Sequence, residues 1–254
     1  MNSLKRKILE SSYPVHSGAF FLPEKQKELF VFPDVEKGIF PPEWLILKNS
    51  GSVITFLDQK RMCFIKICRR NSIWKILKRK FCFPRPYRCL AGALRLKELQ
   101  IPTPEVWYAS RYELVTELLG EGNSFLNVKP EKVESLLDLL VRLHQGGVVH
   151  GDLNYRNIYR TENGEFGLID LDAVTLFSGT VPFRFRMKEL GRLISSGMIF
   201  CMIWSRKQIC EETERICLLY EEKSHLSCDA SLVKKIVLDH LETLNGKHGF
   251  IFSE

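Results

Sequence analysis

The stretch Val148-Val-His-Gly-Asp-Leu-Asn-Tyr-Arg-Asn-Ile-Tyr-Arg160, "VVHGDLNYRNIYR", sets His150, Asp152, Asn154 and Asn157 into an otherwise apolar run. Such a cluster is either a polar turn that follows a helix or a loop built for chemistry. The choice decides the fold, because a turn constrains nothing beyond itself whereas a catalytic loop demands partners elsewhere in the chain.

The 254 residues are 45% hydrophobic and 26% charged, the make-up of a globular chain with material for a sizeable core. Cysteines fall at 63, 68, 82, 89, 201, 210, 217 and 228 with no C-x-x-C pair, and "MNSLKRKILESSYP" lacks the apolar run of a secretory signal. A reduced, cytoplasmic protein without a cysteine zinc site is expected. The longest apolar run, "LISSGMIFCMIW", stops at 12 residues, short of the roughly 18 that a membrane span needs.

The net charge of +7 is unevenly placed. No acid occurs between Asp58 and Glu98, while Lys60, Arg61, Lys66, Arg69, Arg70, Lys75, Lys78, Arg79, Lys80, Arg85, Arg88, Arg95 and Lys97 all do. An anionic partner is expected at residues 60–97. Inside this stretch "SIWKILKRKF" carries Ile73, Leu77 and Phe81 at helical spacing among lysines, the pattern of a membrane-surface helix or of a solvated face packed on the protein itself. No nucleic-acid-binding motif accompanies the charge, which disfavours nucleic acid as the partner.

Strands come first and helices later. "EWLILK", "SVITFL" and "MCFIKI", separated by "NSG" and "DQKR", predict an antiparallel meander. "RPYRCLAGALRLKELQ" predicts a helix stopped by "IPTP", and "EVWYAS" and "YELVTELL" predict two further strands. "VKPEKVESLLDLLVRLHQGG" predicts a helix with Val133, Leu136, Leu137, Leu140 and Leu143 on one stripe. A hairpin around "ENGE" follows the quoted loop, and from about residue 184 the pattern is helical. The expected organisation is an extension over 1–40 without clear periodicity, a small strand-rich part with one main helix over 41–120, a hinge near 117–123, and a larger, mainly helical part over 121–254.

Phosphoryl transfer needs a base for the acceptor hydroxyl, oxygen ligands for magnesium and a cation on the nucleotide phosphates. His150-Gly151-Asp152 followed by Asn157 has the spacing of a kinase catalytic loop, in which the Asp meets the hydroxyl and the Asn binds metal. Asp170, thirteen residues past Asn157 at the end of "FGLID", completes an oxygen-rich site, with Asp172 in reserve. Lys66, between Ile65 and Ile67 in a strand, is the candidate phosphate lysine; the plainer alternative is a lysine on the outer face of an alternating strand. His150 is expected to brace the loop rather than to exchange protons.

"HGDLNYRN", "LIDLD", "FIK", "RPYRCLAGALRLKELQIPTPEV" and "YELVTELL" together resemble the bacterial lipopolysaccharide-core kinases, the family of Kdo and heptose kinases. The likeness covers about residues 44–200. It implies an α+β, bilobal protein-kinase-like fold with a small antiparallel-sheet N-lobe and a larger helical C-lobe. It also implies transfer of the γ-phosphoryl of ATP, with Mg2+, to a sugar hydroxyl of an anionic glycolipid at the cytoplasmic face of the inner membrane. On this resemblance Asp152 corresponds to the catalytic base, Asn157 and Asp170 to the magnesium ligands, and Lys66 to the lysine on the α- and β-phosphates. Asn49, Ser50, Gly51 and Ser52 then take the phosphate-covering position, and Glu117 and Leu118 the hinge that meets adenine.

Two positions depart from the protein-kinase pattern. Cys89 stands where a helix Glu would pair with Lys66, and Glu98 lies nine residues on, about 180° around the helix. Asn154 replaces the lysine that many protein kinases carry two residues after the catalytic Asp, which points from protein acceptors toward sugars. Two other readings keep the fold: a kinase of a soluble small molecule, and a pseudokinase or adaptor of envelope assembly that docks through its basic stretch.

Overall fold

The computed structural model describes residues 20–21, 40–69, 84–119, 133–200 and 205–248. Its chain divides into two compact units: Met1–Arg95 with Thr103–Gly120 and Leu171–Ala173, and Leu96–Pro102 with Glu121–Asp170 and Val174–Glu254. One seam of this division falls between 120 and 121. The end of the first long helix groups with the second unit, and three residues just after Asp170 group with the first.

The first unit is built on a six-stranded antiparallel sheet. Its strands are β1 (Phe20–Phe21), β2 (Trp44–Asn49), β3 (Val53–Asp58), β4 (Cys63–Cys68), β5 (Val106–Ala109) and β6 (Glu113–Glu117), in the spatial order β1-β5-β6-β4-β3-β2. The meander read from the sequence is therefore present, and β6 closes onto β4 with Lys66 opposite Leu114. Period-two alternation explains why these runs are strands: Ile54 and Phe56 of β3 and Cys63, Ile65 and Ile67 of β4 are buried in one cluster with Trp44, Trp107 and Val115. Phe40 and Trp44 each lie 5.4 Å from Phe56, ring centre to ring centre. Asp58 is buried beside them, accepting from Trp44 Nε1 at 3.0 Å and from the Arg61 guanidinium at 3.2 Å, so its charge is matched.

Two residues of the expected N-terminal extension join the sheet, since Phe20 and Phe21 pair with Ala109 and Tyr108 at its edge. A strand of two residues has no readable period. At the opposite edge β2 leaves Leu45, Ile46 and Leu47 exposed, and the register slips between Ile46 and Lys48, a bulge of the kind that blunts open edges.

The helix α1 (Arg85–Glu98) occupies the predicted stretch, with Cys89, Leu90, Ala93 and Leu96 buried. In the second unit a 3-10 turn at Val133–Leu136 runs into α2 (Leu137–Gln145). The predicted stripe Val133, Leu136, Leu137, Leu140 and Leu143 is buried throughout. After it, β7 (Val148–Val149) leads into the quoted loop, and a hairpin pairs β8 (Ile158–Arg160) with β9 (Phe166–Leu168). The short strand β10 (Thr175–Leu176) pairs back onto β7, and the helices α3 (Phe183–Phe200), α4 (Arg206–Ser224) and α5 (Ala230–His248) complete the unit. Helix α3 packs on α5, and α2 on α4. The fold is thus α+β, an antiparallel sheet followed by a helical part. Among the described residues no helix is long and apolar enough to cross a membrane.

Candidate active site

The loop after β7 is held by helix α3. Gly151 adopts φ +83°, a left-handed conformation that favours glycine, and both of its backbone groups are gripped. Its N–H donates to Glu189 Oε1 at 2.8 Å, and its carbonyl accepts from the Arg192 guanidinium. Glu189 and Arg192 are three residues apart, hence neighbours on one face of α3. The next turn of the same helix supplies Ser196, whose Oγ accepts from the Tyr155 N–H at 3.0 Å. Gly197 lets Tyr155 approach: a Cβ there would lie 2.4 Å from Val133 Cγ2 and 3.0 Å from the Tyr155 hydroxyl.

Behind Glu189 runs a buried polar chain. Arg186 donates to the Tyr220 hydroxyl at 3.5 Å, and that oxygen lies 2.8 Å from His144 Nδ1. His144 Nε2 lies 3.3 Å from Glu189 Oε2. The Glu189 carboxylate can only accept, so the imidazole donates from Nε2, and in that tautomer Nδ1 accepts the Tyr220 proton. Every buried group in this chain has a partner, which is the condition for a polar network to stiffen a core. Burial pushes the Tyr220 phenol above its ordinary pKa, with Arg186 opposing, so the phenol keeps the proton that the chain requires.

His150 braces the loop from the other side. Its Nε2 lies 2.8 Å from the Ile169 carbonyl, which can only accept, so Nε2 carries the proton. Nδ1 is then free to accept the Asp152 N–H at 3.4 Å. The bracing role expected from the sequence is the one observed.

These constraints present Asp152. Its carbonyl accepts from Asn154 Nδ2 at 2.9 Å and from Asn157 Nδ2 at 2.8 Å, and its Oδ2 lies 3.4 Å from the same Asn157 nitrogen. The Asp152 side chain is exposed while Asn157 is buried. Asn154 also caps the short helix Tyr155–Asn157 by accepting the Arg156 N–H. Its contacts within the chain are local and shape the loop.

Asp170 follows at once in space. The Ile169 N–H donates to the Asn157 carbonyl at 3.0 Å, and Asp170 itself has φ +56°, an uncommon conformation for a residue with a side chain. Among the described residues no three His, Cys, Asp or Glu side chains gather as a metal cluster. Magnesium does not ask for one: it takes one or two carboxylates and completes its shell with water and phosphate oxygens. The donor chemistry of Asn157 and Asp170 fits that ion.

Lys66 lies in the first unit on the face of β4 opposite the core cluster, and Asp172 Oδ2 stands 3.6 Å from its Nζ. Asp172, held in reserve as a metal ligand, is therefore the acid beside Lys66. The pair answers the question raised by Cys89, which is buried in α1 and offers no charge. The other sequence candidates of this unit are differently engaged. Asn49 Oδ1 accepts from Arg69 at 2.7 Å, and the Ser52 carbonyl accepts the Arg69 N–H at 3.0 Å. Ser50 closes the turn on Val53, and Gly51 has open space around it. At the predicted hinge, the Glu117 N–H goes to the Glu105 carbonyl and the Leu118 N–H to the Met62 carbonyl, both at 2.9 Å. These amides are already used, so adenine would have to meet carbonyls here or backbone beyond 118, and residues 120–132 lie outside the described ones.

Three basic residues of the stretch 60–97 are engaged among the described residues. Arg61 is matched with Asp58, Lys66 with Asp172, and Arg69 binds the β2–β3 turn. The amphipathic segment 72–81 lies outside the described residues. Sequence reading missed Glu189, Arg192, Ser196, His144 and Tyr220. One signal was available: Glu189 sits beside Leu190 and within the buried spacing Met187, Leu190, Leu193, where a charge is out of place unless paired.

Residues 125–215 match the model of the "Lipopolysaccharide kinase (Kdo/WaaP) family". The matched segment contains the loop, the hairpin that carries Asp170, and the Glu189 and Arg192 of α3. Comparison with curated proteins gives no match. Among solved structures, the chain is similar to a Rio2 kinase from Chaetomium thermophilum, described as an ADP/Mg2+-phosphoaspartate complex. The identity is 18% and the TM-score 0.39, over 85% of this chain and 68% of that one. The family match supports a kinase.

Proposed function

We propose that the chain is an ATP-dependent, magnesium-requiring phosphotransferase whose acceptor is a sugar hydroxyl, of Kdo or heptose, in the lipopolysaccharide inner core or a similar envelope glycolipid. The observation that carries this reading is the Asp152 carboxylate, exposed yet fixed by Asn157 and α3, within the segment that matches the kinase family. Asp152 takes the proton of the attacking hydroxyl. Asn157 and Asp170 would hold Mg2+, which supplies charge neutralisation on the β- and γ-phosphates. Lys66, kept in place by Asp172, reaches the α- and β-phosphates, and the turn Asn49–Ser52 covers them. The work of the chain is positioning and electrostatics rather than covalent chemistry.

The setting is the cytoplasm, with peripheral contact at the anionic inner-membrane surface through residues 60–97.

Mass spectrometry of core oligosaccharide from cells with and without the gene tests the reading: one phosphate is lost with the gene. ADP release by the purified chain with and without lipopolysaccharide separates the alternatives. Turnover indifferent to lipopolysaccharide but stimulated by a free sugar would move the acceptor to a soluble molecule. A chain that neither binds nor hydrolyses ATP would be an adaptor.

A further inference from the structure

Beside the Asp152 loop, wholly within the second unit, lies a pocket of about 390 Å³ whose polar lining is Asp152, Asn154, Arg156, Arg192, Ser196 and His240. It opens on the same Asp152 that would receive the acceptor hydroxyl, so whatever fills it sits next to the reacting oxygen. Its charge is one-sided. Two guanidinium groups face a single carboxylate, and Asp152 is already assigned to the hydroxyl.

The two arginines differ in preparation. Arg192 has one N–H on the Gly151 carbonyl, which fixes its plane while leaving other donors of the fork available. Arg156 is exposed, projecting from the short helix that Asn154 caps. Behind them the wall is fastened to α5: Ser195 Oγ donates to the Arg192 carbonyl at 3.0 Å and lies 2.6 Å from His240 Nδ1. Leu153, Tyr155, Ile199 and Leu244 complete the lining, largely with apolar surface, which suits the C–H face of a sugar ring. A planar cationic fork pairs best with a carboxylate or a phosphate, and a cationic acceptor would be repelled.

We propose that this pocket is an acceptor-anion subsite: it receives a carboxylate or phosphate carried by the acceptor close to the hydroxyl presented to Asp152, with Arg156 and Arg192 as its cationic contacts. The inference rests on the kinase reading above and deepens it, because it selects acidic sugars over neutral and cationic ones. It adds Arg156 and Arg192 to the anion contacts proposed for the basic stretch 60–97.

Equilibrium binding to the full-length chain tests it without requiring turnover. Glucuronate, glucose 6-phosphate and glucose are titrated by NMR into the wild type and into Arg156→Gln and Arg156→Glu, two substitutions at an exposed position, with folding checked by circular dichroism and ATP affinity measured alongside. At least one acidic sugar is expected to bind tighter than glucose. Arg156→Gln is expected to weaken that sugar by about tenfold, and Arg156→Glu by more, with ATP affinity unchanged. The tighter of the two acids tells carboxylate from phosphate. Equal binding of glucose and both acids, absence of binding by either acid, or retention of acid binding in both variants would overturn the subsite. Failure of the kinase reading shows separately, as a wild-type chain that transfers no phosphate from ATP to any sugar.

Discussion

Two short polar segments were assigned nucleotide chemistry, the loop around Asp152 and the turn Asn49–Ser52, and the fold holds them in opposite ways. The Asp152 loop is gripped from outside itself, by Glu189, Arg192 and Ser196 of one helix and by the Ile169 carbonyl through His150. The turn is closed by Ser50 on Val53, with Arg69 at its flank, and a Cβ on Gly51 would meet nothing within 4 Å. A base must be held to a fraction of an ångström, whereas a phosphate cover has to move aside for nucleotide to enter and leave. The difference is the one expected if the first segment does chemistry and the second does not.

The comparison breaks most readily at Glu189. Glu189→Ala strands the Gly151 N–H and the His144 N–H in the core and should cost about 3 kcal/mol of stability, read as a lowered midpoint of denaturant unfolding. An unchanged midpoint would mean that the helix does not hold the loop. Gly197→Ala comes next. Its Cβ would meet Val133 and Tyr155, so a loss of roughly 1–3 kcal/mol is expected, with kcat falling because Tyr155, part of the Asp152 loop, is displaced.

Asp172→Asn is smaller still. It leaves Lys66 without the carboxylate at 3.6 Å, and since both side chains are about a quarter exposed, the pair contributes on the order of 1 kcal/mol or less to stability. Its signature should instead be kinetic, a several-fold rise in KM for ATP with the unfolding midpoint unmoved. The smallest effect belongs to Gly51→Ala. Without steric conflict and without a positive φ, this change should alter stability by less than about 1 kcal/mol, in the stabilising direction. A large loss there would erase the contrast between the two segments.

The sequence made one of these segments far more legible than its support. Asp152, Asn157 and Asp170 stand out in the sequence because a kinase catalytic loop sets those side-chain types at such spacings, and the hairpin between them is bounded by turn residues. The sheet was readable because "VITFLD" and "CFIKIC" alternate cleanly. Glu189 and Arg192 lie 38 and 41 residues from Gly151 in a helix with no motif, so only the folded chain brings them to it. The partner of Lys66 was hidden for a related reason. The helix position where an acid was sought holds Cys89, and the acid came from Asp172, just beyond the predicted metal ligand. Phe20–Phe21 pairs over two residues only, too few for a period to be read.

The most direct measurement is single-turnover transfer of radiolabel from [γ-32P]ATP to lipopolysaccharide core by the wild type and by Asp152→Asn, with ATP affinity determined in parallel. The side chain of Asp152 is exposed, and the loop is held through its carbonyl and its neighbours, so the variant should fold and bind ATP as the wild type does. The predicted result is label on a core sugar with the wild type and a transfer rate lower by about 10³-fold with Asp152→Asn. Transfer by Asp152→Asn at the wild-type rate would contradict the assignment of the loop as the site of phosphoryl transfer.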